Sequence, residues 1–224
     1  MRTRSMMLVL IALALPAIAH AQYATFHIGF KGGVNFAEMS VTPDYEEVDH
    51  GRLTAFGGGA ELGFAVSPSM AVLTDVLYLQ KGASAHHKWQ NGSEPSGSYR
   101  EWDTDATLSY LVLAPTLRFS TPNPGMAPYV YGGAEISFLL DATATTEDDN
   151  GQSIDRDVKD NYTSTDFGVH FGAGFEIRAR SYSFFVEGRY ALGLTNIVSD
   201  DLLDDNPEAE EKHRGIYLFG GLRF

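Results

Sequence analysis

Along most of the chain apolar side chains recur at every second position. That period marks β-strands, because successive strand residues point to opposite faces. In "FHIGFKGGVNFA", Phe26, Ile28, Phe30, Val34 and Phe36 share one face; His27, Gly29, Lys31, Gly33 and Asn35 share the other. "LTAFGGGAELGFAV" sets Phe56, Ala60, Leu62 and Phe64 against Glu61. "AVLTDVLYLQKG" sets Val72, Val76 and Tyr78 against Asp75 and Lys81, with Leu73, Leu77 and Leu79 blurring the pattern. "TLSYLVLAPTLRF" opposes Leu111, Leu113, Leu117 and Phe119 to Tyr110, Thr116 and Arg118. "YVYGGAEISFLL" opposes Val130, Ala134, Ile136, Phe138 and Leu140 to Tyr131, Gly133, Glu135 and Ser137. In "TDFGVHFGAGFEIR", Phe167, Val169, Phe171, Phe175 and Ile177 face away from Asp166, His170, Glu176 and Arg178. "FFVEGRYALGLT" and "GIYLFGGLRF" repeat the alternation, placing Glu187, Arg189 and Arg223 on their polar faces.

These runs predict eight strands of about 10–14 residues, the length of a tilted membrane strand with some extension. Short connections fall at Ser67–Ser69, Ser120–Ala127 and Ala179–Ser183. Long polar loops are expected at Glu38–Arg52, Ala83–Ala106, Asp141–Thr163 and Val198–Arg214. Short turns at one end and long loops at the other are the plan of an outer-membrane barrel.

The charges decide which face is wet. The polar faces carry Lys31, Glu61, Asp75, Lys81, Arg118, Glu135, Asp166, Glu176, Arg178, Glu187, Arg189 and Arg223, six acids and six bases; the apolar faces carry none. A basic side chain at the lipid midplane costs ~2–4 kcal/mol, so six would cost roughly 12–24 kcal/mol, as much as a domain's entire stability of ~5–15 kcal/mol. Equal opposite charges suit a closed interior where each must be paired. Glycines on the same faces make room in a small bore that side chains must fill. The expected fold is therefore all-β: an eight-stranded antiparallel up-and-down transmembrane β-barrel with a side-chain-filled polar lumen.

Composition adds compartment. The chain opens with Arg2 and Arg4, continues through "MMLVLIALALPAI" and reaches "AHA". This is the pattern of a secretory signal peptide over residues 1–21, cut after Ala21, with a barrel domain over 22–224. The absence of cysteine excludes disulfides, thiolate zinc sites and cysteine nucleophiles. A net charge of -13 argues against a nucleic-acid partner.

"GFKGGVNFA", "LYLQKG", "FGAGFEI" and above all "EGRYALGLTNI" resemble the PorT-like family of small Gram-negative outer-membrane barrels. The resemblance covers nearly the whole mature chain. It departs at the fourth strand, where Val112 and Ala114 stand in place of an acid and a proline, and Pro115 follows. It implies an eight-stranded barrel resident in the outer membrane. The family's name-giving member is associated with a secretion apparatus for surface proteins. The terminal Phe224 is how barrels of this kind commonly present themselves to the outer-membrane assembly machinery.

Of the 29 acids, 23 lie in the four long loops with seven Lys or Arg, so the loop end carries about -16. Solubility, adaptation to a salty medium, and binding of divalent cations or a cationic surface partner all fit that excess. Asp148, Asp149, Asp155, Asp157, Asp204 and Asp205 are the candidate oxygen ligands for a hard cation. No nucleophile elbow or zinc helix motif occurs, and no cofactor is implied. The expectation is a non-enzymatic outer-membrane barrel in contact with membrane lipids, with an interaction or structural role in the envelope. Trp89, Tyr99 and Trp102 would supply aromatic contacts. A small-solute or ion channel, an accessory of surface-protein secretion, a lipid-modifying enzyme and a soluble ligand-binding barrel are the alternatives.

Overall fold

The computed structural model describes residues 25–42, 48–90, 99–148, 152–199 and 210–224. The expected signal peptide lies outside them. Ten strands form: β1 (Thr25–Thr42), β2 (Val48–Gly51), β3 (Leu53–Ser67), β4 (Met70–Gln90), β5 (Tyr99–Ser120), β6 (Met126–Asp148), β7 (Ser153–Asp157), β8 (Thr165–Arg178), β9 (Ser183–Gly193) and β10 (Glu210–Arg223).

Every pairing is antiparallel. Eight of the strands close a ring in the order β1, β3, β4, β5, β6, β8, β9, β10, and β10 returns to β1. β2 and β7 stand on the margin, paired with β4 and β6 respectively. Closure leaves no free edge in the ring, which is what a bilayer demands of a β-protein.

The alternation read from the sequence separates outside from inside. Phe30, Phe56, Phe175 and Val186 are 56–65% exposed, whereas Glu61, Asp75 and Arg189 are at most 2% exposed. Oily residues coat the outside and ions line the bore. Two expectations are corrected. The eight ring strands run from 11 to 23 residues, not 10 to 14. Much of the supposed loop segment Ala83–Ala106 is strand: β4 and β5 stay paired up to Gln90 and Tyr99, so Trp89 and Tyr99 belong to that hairpin and Trp102 pairs with His87. Likewise β6 continues to Asp148, and β7 and β2 occupy parts of the flanking loop segments. These extensions carry no alternating apolar face because they rise past the lipid, where backbone pairing alone needs satisfying.

Two local irregularities make this possible. β4 trades β3 for β2 as its neighbour between Leu79 and Ser84. Gly82 sits in that gap at φ 154°, where a β-carbon would strike the Ala106 carbonyl. On β6 the register slips at Leu140, so that Leu139 stays inside while Leu140 and Asp141 both turn outward. Such a bulge sets two residues against one and bends its strand.

Candidate functional site

The chemistry is concentrated in the bore. Among the twelve charged residues expected there, all but Arg178 are less than a tenth exposed. They form three levels.

Nearest the short turns, Arg223 grips Glu61 with Nε at 2.5 Å and Nη2 at 3.1 Å, a two-pronged pairing that fits the planar guanidinium. Glu176 accepts a hydrogen bond from the Ser183 hydroxyl at 2.7 Å and lies 3.5 Å from Arg118 and 3.4 Å from Arg223. Arg178 stands at the rim, donating to the Asn123 carbonyl at 2.9 Å and 3.8 Å from Glu176.

At mid-bore, Lys31 donates to Asp75 at 3.0 Å and to Glu187 at 2.9 Å, with Glu61 at 3.2 Å. Arg189 pairs with Asp75 and stands 3.7 Å from Glu135. Tyr129 donates to Glu187 at 2.8 Å. Aromatic faces fill the remaining space: Arg223 lies 3.8 Å from the Phe185 centroid, and Arg189 about as close to Phe219 as to Tyr131, at 5.4 and 5.5 Å. The glycines explain how rings fit beside ions. A β-carbon on Gly174 would come within 2.6 Å of the Tyr129 ring, and one on Gly172 as close to Tyr131.

Toward the long loops, Lys81 donates to Ser137 at 3.0 Å and to Asp166 at 3.4 Å, with Glu135 at 4.0 Å. Here the bore changes character. Leu77, Leu79, Leu108, Tyr110 and Val112 are fully buried in one cluster with Ile197. The inward leucines of β4 are the ones that blurred its alternation, and Val112 and Ala114, where the PorT-like resemblance departs, line this same wall.

Ile197 closes the loop-end mouth. Asn196 accepts from the amides of Val198 at 3.2 Å and Glu211 at 2.9 Å, and Thr195 donates to Asp166 at 2.6 Å. The Ile197 carbonyl takes the Thr163 amide at 2.8 Å, and Tyr162 bridges to Val198. Burial, and then the Glu211 carboxylate, raise the Tyr162 phenol above its ordinary range, so it remains a neutral group over the mouth. "GLTNI", noticed in the sequence as a motif, is thus the fastening of a cap; its apolar pair Ile197–Val198 was not recognised as one. Two isolated apolar residues in a polar loop carry no period.

Among the loop acids weighed as cation ligands, Asp149, Asp204 and Asp205 lie outside the described residues, and Asp148 ends β6. Asp155 accepts from the Thr145 hydroxyl at 2.8 Å and Asp157 from the Lys159 amide at 3.0 Å. Among the described residues no three His, Asp or Glu side chains are grouped to hold a metal ion.

No curated protein matches the sequence. Neisserial surface protein A is 15% identical at a TM-score of 0.45, covering 90% of this chain and 98% of its own. Ail, the attachment invasion locus protein of Yersinia pestis, is 14% identical at 0.40, covering 89% and 99%. OprG from Pseudomonas aeruginosa is 11% identical at 0.43, covering 90% and 97%. A family model described as "Outer membrane protein beta-barrel domain" matches residues 20–199. With its strands closed in a ring, its oily face outward and that match over most of its length, the chain belongs to the outer-membrane protein β-barrel domain family.

Proposed function

We propose that this protein works at its surfaces and passes nothing through its bore: a non-enzymatic outer-membrane barrel whose loop-end strand extensions meet partners at the cell surface. The observation that carries this reading is the filled lumen. Eight strands leave an interior just wide enough for side chains, and here they are ion-paired at three levels and capped by Ile197. A sealed bore directs function to what projects beyond the lipid. β4, β5 and β6 project furthest, flanked by β2 and β7.

The acidic excess of the loop segments favours a cationic partner, or an anionic one bridged by divalent cations. The PorT-like resemblance fits a place beside other outer-membrane proteins, including a surface-protein secretion assembly. Export by a cleaved leader ending at Ala21, and assembly through Phe224, belong to the same reading.

Two measurements test it. Reconstituted in planar bilayers, the protein should give no reproducible open level above noise; a stable open level would establish the channel alternative instead. Capture of neighbours from native outer membranes, with and without a chelator, should recover a partner lost on chelation if divalent cations form the bridge. A partner retained in chelator and released by salt would mark direct pairing with a cationic surface.

A further inference from the structure

At the short-turn mouth, arginine nitrogens left without hydrogen bonds border open space, whereas those of Arg189 at mid-bore are enclosed by carboxylates and aromatic rings. The mouth opens into a cavity of about 480 Å³ walled by Arg118, Arg178, Arg180 and Arg223 with a single acid, Glu176. Arg223 is committed to Glu61 through Nε and Nη2, yet its Nη1 has no hydrogen-bond partner among the described residues. Arg118 is more unusual. It is 7% exposed, and neither its Nε nor its Nη1 has a hydrogen-bond partner among the described residues.

Glu176, the one acidic side chain among the described residues of that wall, does not relieve it. Glu176 Oε2 stands 3.5 Å from Arg118 and 3.4 Å from Arg223 without a hydrogen bond to either, while its other oxygen is taken by Ser183. A buried guanidinium with idle donors is costly, and it is most cheaply satisfied by an oxygen anion, to which its N–H groups bond strongly. In barrels of this plan the short turns face the periplasm.

We propose that this vestibule is a binding site for a small oxyanion, a phosphate or carboxylate group entering from the periplasm. Arg118 and the free nitrogen of Arg223 are its floor, and Arg178 and Arg180 its rim. Phosphate and carboxylate share this chemistry, and the test separates them.

The experiment uses the full chain purified from outer membranes in detergent micelles, with isotope-labelled arginine side chains read by NMR. Inorganic phosphate and sodium acetate are titrated separately at constant ionic strength. The Arg118 Nε–H signal should move saturably with at least one of them. Saturation by phosphate alone assigns the site to phosphate groups, such as those of lipid headgroups; saturation by acetate alone assigns it to carboxylates, such as peptide termini. Arg118→Gln, followed like Arg118→Lys at the Arg223 Nε–H signal, should weaken binding about tenfold, the worth of one charge-assisted contact. Glu176→Gln, which removes the competing acid, should strengthen it.

Movement that tracks ionic strength alone, or that sodium perchlorate reproduces, overturns the proposal. So does undiminished binding in a folded Arg118→Gln protein, or weakening in Glu176→Gln. If Arg118→Gln gives no heat-modifiable folded band on a gel, Arg118→Lys replaces it. That variant keeps the charge, loses the guanidinium donors, and should still bind more weakly.

Discussion

The two mouths of the bore are built on opposite principles. At the loop end the wall is oily, and Ile197 is buried in one apolar cluster with Leu79 and Tyr110, its backbone hydrogen-bonded to Thr163 and Glu211. At the turn end the wall is basic, the cavity is open, and three nitrogens of Arg118 and Arg223 make no hydrogen bond among the described residues. One end is closed by packing, the other kept apart from the medium only by the ion pairs beneath it. Packing against a nonpolar wall rigidifies a plug, whereas buried guanidinium donors that border open space remain available to a ligand. The difference teaches where this small barrel can respond to a solute and where it cannot.

The level shared by both ends should be the most sensitive. Lys31 alone contacts Glu61, Asp75 and Glu187. Lys31→Met strands those carboxylates in a closed space and should destabilise the barrel by about 3–5 kcal/mol, measured by urea unfolding in micelles. Adding Asp75→Asn should recover part of the loss; a double variant no better than the single would mean that charge pairing is not what holds mid-bore together.

Next in size is the plug. Ile197→Ala removes a fully buried side chain from the oily wall and should cost about 2 kcal/mol, at the low end because a mouth relaxes more easily than a core. The same variant should loosen the loop end alone, seen as faster amide exchange at Thr163 and Val198 with no change near Arg223. Gly174→Val drives a side chain against the Tyr129 ring and should cost about 1–3 kcal/mol, by the same unfolding assay. The smallest effect belongs to the rim. Arg178→Ala removes a partly exposed guanidinium 3.8 Å from its acid and should change stability by less than about 1 kcal/mol. A larger loss would show the turn end to be as tightly knit as the loop end and would dissolve the contrast.

The ring itself was legible because lipid enforces alternation: a strand such as β8, with Phe167, Val169, Phe171, Phe175 and Ile177 on one side, can sit only one way around. The same reasoning lost its grip where lipid stops acting. "HHKWQ" and "YREWDTDA" have no oily face to reveal a period, yet their backbones pair because β4 and β5 are already aligned below them. On β4 both phases are apolar, so Leu77 and Leu79 could not be assigned to lipid or lumen from the pattern; the closed bore decided it. The alternation puts Arg118, Arg178 and Arg223 on the inward face, but a count of six acids and six bases hides their uneven distribution. Balance over the whole lumen says nothing about balance at one end.

The unequal heights of the strands have a further consequence. β4, β5 and β6 hold 21 to 23 residues, against 11 for β9 on the far side of the ring. The difference of 10–12 residues, at roughly 3.3 Å each, adds about 3–4 nm of strand length on the tall side, less in height because barrel strands tilt. Among the described residues the tall side rises beyond the low side of the ring, and its sheet has an inner and an outer face. A partner covering one face would leave the other open to the medium.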